Sequence, residues 1–199
     1  MKPAFAAAIV LLWLGACSPG PADDAPNEAA TVANENVSVA TAPEPAAPEA
    51  ADAAVTPNTL TLAGLGALRI GQAVPAGSGW AERGAQDSDE CRTISSPDFP
   101  GAYAIVEGGK VRRITVGERS DVKLAEDIGV GATEAEVRAA FPGFRESNHA
   151  YVDQPAKYLT APNAAGGDPA LRFEIGADAR VSLVHIGTMP VLGYVEGCA

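Results

Sequence analysis

Two stretches of this chain carry the same order of signals, and that recurrence limits the available folds more than any other feature. The first runs Leu68-Arg69-Ile70-Gly71-Gln72, a polar stretch, Cys91-Arg92-Thr93-Ile94, and then Ala102 to Gly117. The second runs Ala125-Glu126-Asp127-Ile128-Gly129-Val130-Gly131, a helical segment, Lys157-Tyr158-Leu159-Thr160, and then Leu171 to Gly187. Each reads as Ile-Gly, a linker or helix, a short strand, and a hairpin whose return strand opens with Lys-Val or Arg-Val. Self-similarity of this kind points to one supersecondary unit used twice. The expected fold class is α+β. It is an antiparallel sheet from two degenerate helix-plus-hairpin repeats, about 62–120 and 125–197, with a helix on one face.

The hairpins are the best-defined elements. Tyr103–Glu107 and Val111–Val116 flank Gly108-Gly109, a two-residue turn that accepts positive φ. Gly176-Ala177-Asp178-Ala179 predicts a longer turn in the second hairpin. Strict alternation would place Val181, Leu183 and His185 on one face of its return strand and Ser182, Val184 and Ile186 on the other. Val191 to Val195 reads as a last strand. One helix has a clear start: Thr133-Glu134-Ala135-Glu136 is a capping box. Val137, Ala140 and Phe141 form its apolar stripe, and Pro142-Gly143 ends it. The matching place in the first half, Ala73 to Ala81, contains Pro75, Gly77 and Gly79, so a helix is expected to be missing or reduced to a turn there.

The string Ile128 to Gly143, followed by strand signals, resembles the repeat of the SmpA/OmlA-like outer-membrane-assembly lipoproteins. It also resembles that of the secreted β-lactamase inhibitor proteins, which carry the unit in tandem. The resemblance covers most of residues 62 to 197, and its specific part is the helical string. It implies a sheet with helices on one face, used to bind other proteins rather than for catalysis. No functional residue is carried over from it.

The N-terminus has the form of an export signal. Lys2 is followed by an uncharged apolar run of 11 residues, Ala4 to Leu14. A bilayer-crossing helix needs about 20 such residues, so the run has the length of a cleaved signal rather than a permanent span. Leu14-Gly15-Ala16-Cys17 is a lipobox, which predicts a signal peptide at 1–16 and a lipid-modified Cys17 as the first mature residue. Two or three acyl chains hold a protein stably on a membrane where one does not. Ser18 in place of Asp favours the outer membrane, facing the periplasm. Residues 18–58 contain seven acidic residues, seven prolines and no Lys, Arg or aromatic residue. Such a composition buries too little to offset the entropy of ordering, so 17–58 reads as a lipidated Cys and a disordered tether. Its root-mean-square reach is on the order of 35 Å.

Residues 59–199 hold 13 basic and 18 acidic residues, a net charge of −5. This is the size of one domain with a real core. Its acidic balance argues against nucleic acid, which selects a basic face. Of the three cysteines, Cys17 is assigned to lipid, leaving Cys91 and Cys198 as an even pair in an exported chain, hence a disulfide. There is no C-x-x-C spacing for a redox site or zinc knuckle.

The search for chemistry returns little. His185 reads as a core or sheet histidine. His149 and Asp153 are two candidate metal ligands where zinc wants three or four. Gly77-Ser78-Gly79 lacks the first glycine of a nucleophile elbow, because position 76 is Ala76. Asp87-Ser88-Asp89-Glu90 lacks the spacing of a calcium loop. No catalytic residue, metal or cofactor is expected. Phe99, between Pro97 and Pro100, is the aromatic residue most suited to anchor a partner. The expected function is a lipid-anchored, non-catalytic envelope protein whose domain binds a protein partner in assembly, scaffolding or inhibition. The alternatives are a small hydrolase or metal-dependent enzyme around His149 and Asp153, and a small ligand or glycan bound on the sheet.

Overall fold

The computed structural model describes residues 58–86 and 88–198. The lipobox, Cys17 and the tether lie outside the described residues, as does Asp87. The centre of the fold is an eight-stranded antiparallel sheet. Its strands in chain order are β4 (Ala81–Glu82), β5 (Cys91–Ser95), β6 (Ala102–Glu107), β7 (Lys110–Val116), β9 (Arg145–Asn148), β10 (Lys157–Thr160), β11 (Ala170–Ile175) and β12 (Val181–Gly187). Spatially the order is β4-β5-β6-β7-β12-β11-β10-β9. Each half is therefore a meander of four consecutive strands, and the two return strands, β7 and β12, meet in the middle. There Thr115 faces His185 and Ile114 faces Ile186. Smaller pairings flank the sheet: β1 (Thr59–Leu60) runs parallel to β8 (Lys123–Leu124), and β2 (Gly64–Leu65) pairs with β3 (Leu68–Arg69).

Local chemistry accounts for these elements. Gly108 and Gly109 have φ of 58° and 74° and close the β6–β7 hairpin, as expected for a turn matched to strand twist. Helix α1 (Glu134–Ala140) starts as its capping box predicts. The Thr133 hydroxyl accepts from the Glu136 amide at 3.3 Å, and Glu136 accepts from the Thr133 amide at 2.7 Å. The helix buries Val137, and Phe141 at its end packs against Phe144 and Phe173. These belong to, or pack against, one cluster with Ile94, Ala104, Val106, Ile114, Val116, Leu159, Leu171 and Ile186. No helix forms over residues 73–81.

Two expectations are corrected. Val181 lies in the core with Val184 and Ile186, because a register shift between Glu174 and Ile175 breaks the alternation. Leu183 and His185 remain on the opposite face. Val191 to Val195 is not a strand: Val191–Gly193 is a 3-10 turn. Pro190 has no N–H for a ladder, and the Leu192 amide turns back to the Thr188 carbonyl at 2.9 Å. Arg145–Asn148 is an edge strand despite having no β-branched residue; its pairing to β10 decides it.

Candidate functional site

The face of the sheet opposite the main apolar cluster carries polar side chains. Arg113 and Thr115 project from β7, His185 from β12, Arg172 and Glu174 from β11, and Tyr158 from β10. The chain after β12 returns across this face, and Val191 and Leu192 sink into it, at 1% and 0% exposure. Val191 packs with Cys91 and Ile105, and Leu192 with Ala161, Ala164 and Ala170. Cys198 is bonded to Cys91 on β5, with Cα atoms 5.9 Å apart, as the cysteine count predicts. The Tyr194 hydroxyl donates to Glu107 at 3.1 Å. Residues 188–198 thus form a strap tied down at several points.

Beneath the strap, Arg113 is 1% exposed. Its Nη1 donates to the Val191 and Tyr194 carbonyls at 3.2 and 2.6 Å, and its Nη2 reaches the Tyr103 hydroxyl at 3.5 Å. Arg172 Nη1 donates to the Leu192 carbonyl at 3.5 Å, and its guanidinium lies 3.9 Å above the centre of the Tyr158 ring. Burial lowers both arginines from their ordinary pKa, against the raising influence of Tyr103 on Arg113 and of Tyr158 on Arg172. Buried Nε atoms of both have no hydrogen-bond partner. Between them the Thr115 hydroxyl and His185 Nδ1 share a hydrogen bond of 2.9 Å. Burial, then Arg113 and Arg172, push His185 well below its ordinary pKa. It is a neutral core histidine.

His149 is also committed. Its Nδ1 accepts from the Tyr151 and Val152 amides at 3.1 Å each, so Nε2 carries the hydrogen and donates to Glu174 at 3.1 Å. Its ring stacks on Tyr158 with centroids 4.9 Å apart. Ser182 donates to the same Glu174 carboxylate. With both nitrogens engaged, His149 offers no free lone pair to a metal beside Asp153. Among the described residues no three His, Cys, Asp or Glu side chains group as a metal requires. Ser78 sits in a turn, where its amide donates to the Pro75 carbonyl. Ser88 accepts from the Cys91 amide at 3.0 Å and so starts β5.

Phe99 requires a correction. Its ring is buried, stacked on Trp80 at 5.7 Å and pressed against the backbone of Gly66, where a Cβ would lie 2.6 Å from Cζ. A ring held there is not available to a partner. Among the described residues the exposed aromatic side chain is Tyr151, at 67%.

A second candidate lies beside the main apolar cluster. A cavity of about 350 Å³ opens to solvent between Leu60 and Leu62, Leu124, the rings of Phe141 and Phe144, and Leu171. Leu62, on its rim, is exposed, and Glu126 is the charged residue in its lining. No family model, curated protein or solved structure matches this chain. Among the described residues no helix is long and apolar enough to cross a membrane.

Proposed function

We propose that this chain is a lipid-anchored envelope protein, acylated at Cys17, whose domain binds a protein partner without transforming it. The observation that carries the reading is the open apolar cavity beside Leu62. It has the volume to accept one or two aliphatic or aromatic side chains, the kind of anchor that dominates protein interfaces. Glu126 in its lining and the domain's net charge of −5 select a partner whose apolar anchor is flanked by basic residues. The cavity opens next to β1, where residues 17–58 join the domain. An acylated Cys17 facing the periplasm from the outer membrane would hold this mouth within the tether's reach of the bilayer. The strand order, two four-strand meanders meeting at β7 and β12, supports the two-repeat reading and its likeness to the assembly lipoproteins and tandem inhibitors.

A photo-crosslinking residue at position 62 of the full chain tests the surface, with position 110 at the β6–β7 turn as control. A discrete protein adduct is expected from position 62 and not from 110. Asn163→Trp, which places a ring over the cavity from an exposed position, should abolish it. An adduct indifferent to that substitution, or none in intact cells, overturns the reading. Cys17→Ser should move the protein into the soluble fraction; continued membrane attachment overturns the anchor.

A further inference from the structure

Two arginines beneath the strap are cations with no carboxylate in direct contact. Among the described residues neither lies within ion-pair distance of a carboxylate. Glu174, on the same face, acts on both charges from beyond ion-pair distance, while its carboxylate is held by His149 and Ser182. The groups in direct contact with the two guanidiniums are three carbonyls of one short turn, those of Val191, Leu192 and Tyr194, together with the Tyr103 hydroxyl and the Tyr158 ring. A carbonyl carries only a partial negative charge, and a buried cation without a full counter-charge is costly. In both guanidiniums the Nε atom is buried and unpartnered. Nε and an Nη together form the fork with which arginine grips an oxyanion in two parallel hydrogen bonds, so that fork is incomplete on both. The two arginines stand on strands on either side of β12, Arg113 opposite Gly187 and Arg172 opposite His185.

We infer that Arg113 and Arg172 form a phosphate-type oxyanion site, which the strap fills with its own carbonyls and which becomes accessible when the Cys91–Cys198 bond is opened. Two guanidiniums, each a planar set of five N–H donors, suit a phosphate, whose oxygens point in several directions, better than a two-oxygen carboxylate. Cys198 is only partly buried, so a dithiol can reach it. The S–S bond breaks, two cysteine thiols form, and the dithiol gives up two electrons and two protons as it closes to its own disulfide. Val191 and Leu192 continue to hold the strap by burial, so oxyanion affinity is reduced by the fraction of molecules in which it is closed. Neither arginine lines the cavity beside Leu62, although Ala161 and Ala170 pack against Leu192 and also line that cavity.

The test uses the full chain, oxidised and dithiol-reduced, titrated with inorganic phosphate and followed by calorimetry and hydrogen exchange. The reduced protein should bind phosphate at least tenfold more tightly than the oxidised one. Phosphate should also speed exchange at the Leu192, Gly193 and Tyr194 amides. Arg172→Met, at a partly exposed position, should abolish both effects. Acetate at equal ionic strength should be ineffective. Leu192→Ala in the oxidised chain loosens the strap without reduction and should strengthen phosphate binding over the parent. Equal affinity in both redox states, binding that survives Arg172→Met, an equal effect of acetate, or no gain from Leu192→Ala would each overturn the site.

Discussion

At the scale of single residues, burial decides which polar groups remain available. His185 illustrates this. Its folded-state pKa is driven well below the ordinary 6.5 by burial and by Arg113 and Arg172. The unfolded chain therefore takes up a proton that the folded chain refuses. Stability is unaffected by this group well above pH 6.5 and falls as pH drops through 6.5 toward the folded value. The loss approaches about 1.4 kcal/mol per pH unit, the limit for one proton. Denaturant melts of the parent and of His185→Gln at a series of pH values should show this slope in the parent alone; equal slopes would place the linkage elsewhere. The histidine's core role was legible from its strand position. The availability of Phe99 was not, because proline on both sides describes a surface connection and says nothing of the ring beneath it. The arginines were missed altogether. Arg113 and Arg172 sit in strands as ordinary alternating polar residues, and only the strap's return over them makes them buried.

At the scale of elements, legibility followed locality. The β6–β7 turn and the α1 cap are determined by residues within a few positions of one another, and both formed as read. Where a distant partner decides, the pattern misled. Val181 changed face because of a register shift against β11, and Arg145–Asn148 became a strand through pairing to β10. The 3-10 turn at Val191–Gly193 replaced an expected strand because Pro190 stands where a ladder amide is needed. The helix shows what a local signal contributes. Glu134 sits in its first turn. Burial raises its pKa, but hydrogen bonds from Arg138 and Lys157 outweigh that and hold it below the ordinary value. Those contacts tie α1 to β10, and Arg138 also reaches Glu146 on β9 at 2.6 Å. The cap itself rests on Thr133. Thr133→Ala should cost about 1 kcal/mol, the usual worth of a threonine N-cap. Thr133→Ser, which keeps the hydroxyl, should recover most of it in the same thermal melts. A serine variant as unstable as the alanine one would show that the threonine methyl, and not the cap bond, carries the effect.

At the scale of the whole molecule, two layers cover the sheet by different means. One side is covered by an apolar cluster that includes Val137, Phe173, Ile114 and Leu60 and leaves the cavity beside Leu62 open. The other side is closed by a strap with two buried aliphatic side chains, three carbonyls on two cations, and one covalent bond. Cys91 and Cys198 are 107 residues apart in sequence, so their bond spans both halves of the sheet and constrains the unfolded chain as well as the strap. The chain-entropy relation gives about 4.7 kcal/mol for a loop of this size. Cys91→Ser with Cys198→Ser should therefore lower global stability by about 4–5 kcal/mol, read as a shifted denaturant midpoint at unchanged slope. The loss should not be uniform. Strap amides should exchange much faster in the variant than amides of β7 and β12, because only the strap loses a direct attachment. Equal acceleration throughout would mean that the bond acts on the unfolded ensemble alone. In that case the strap would be closed by Val191 and Leu192 without covalent help, and the disulfide would not gate the two arginines.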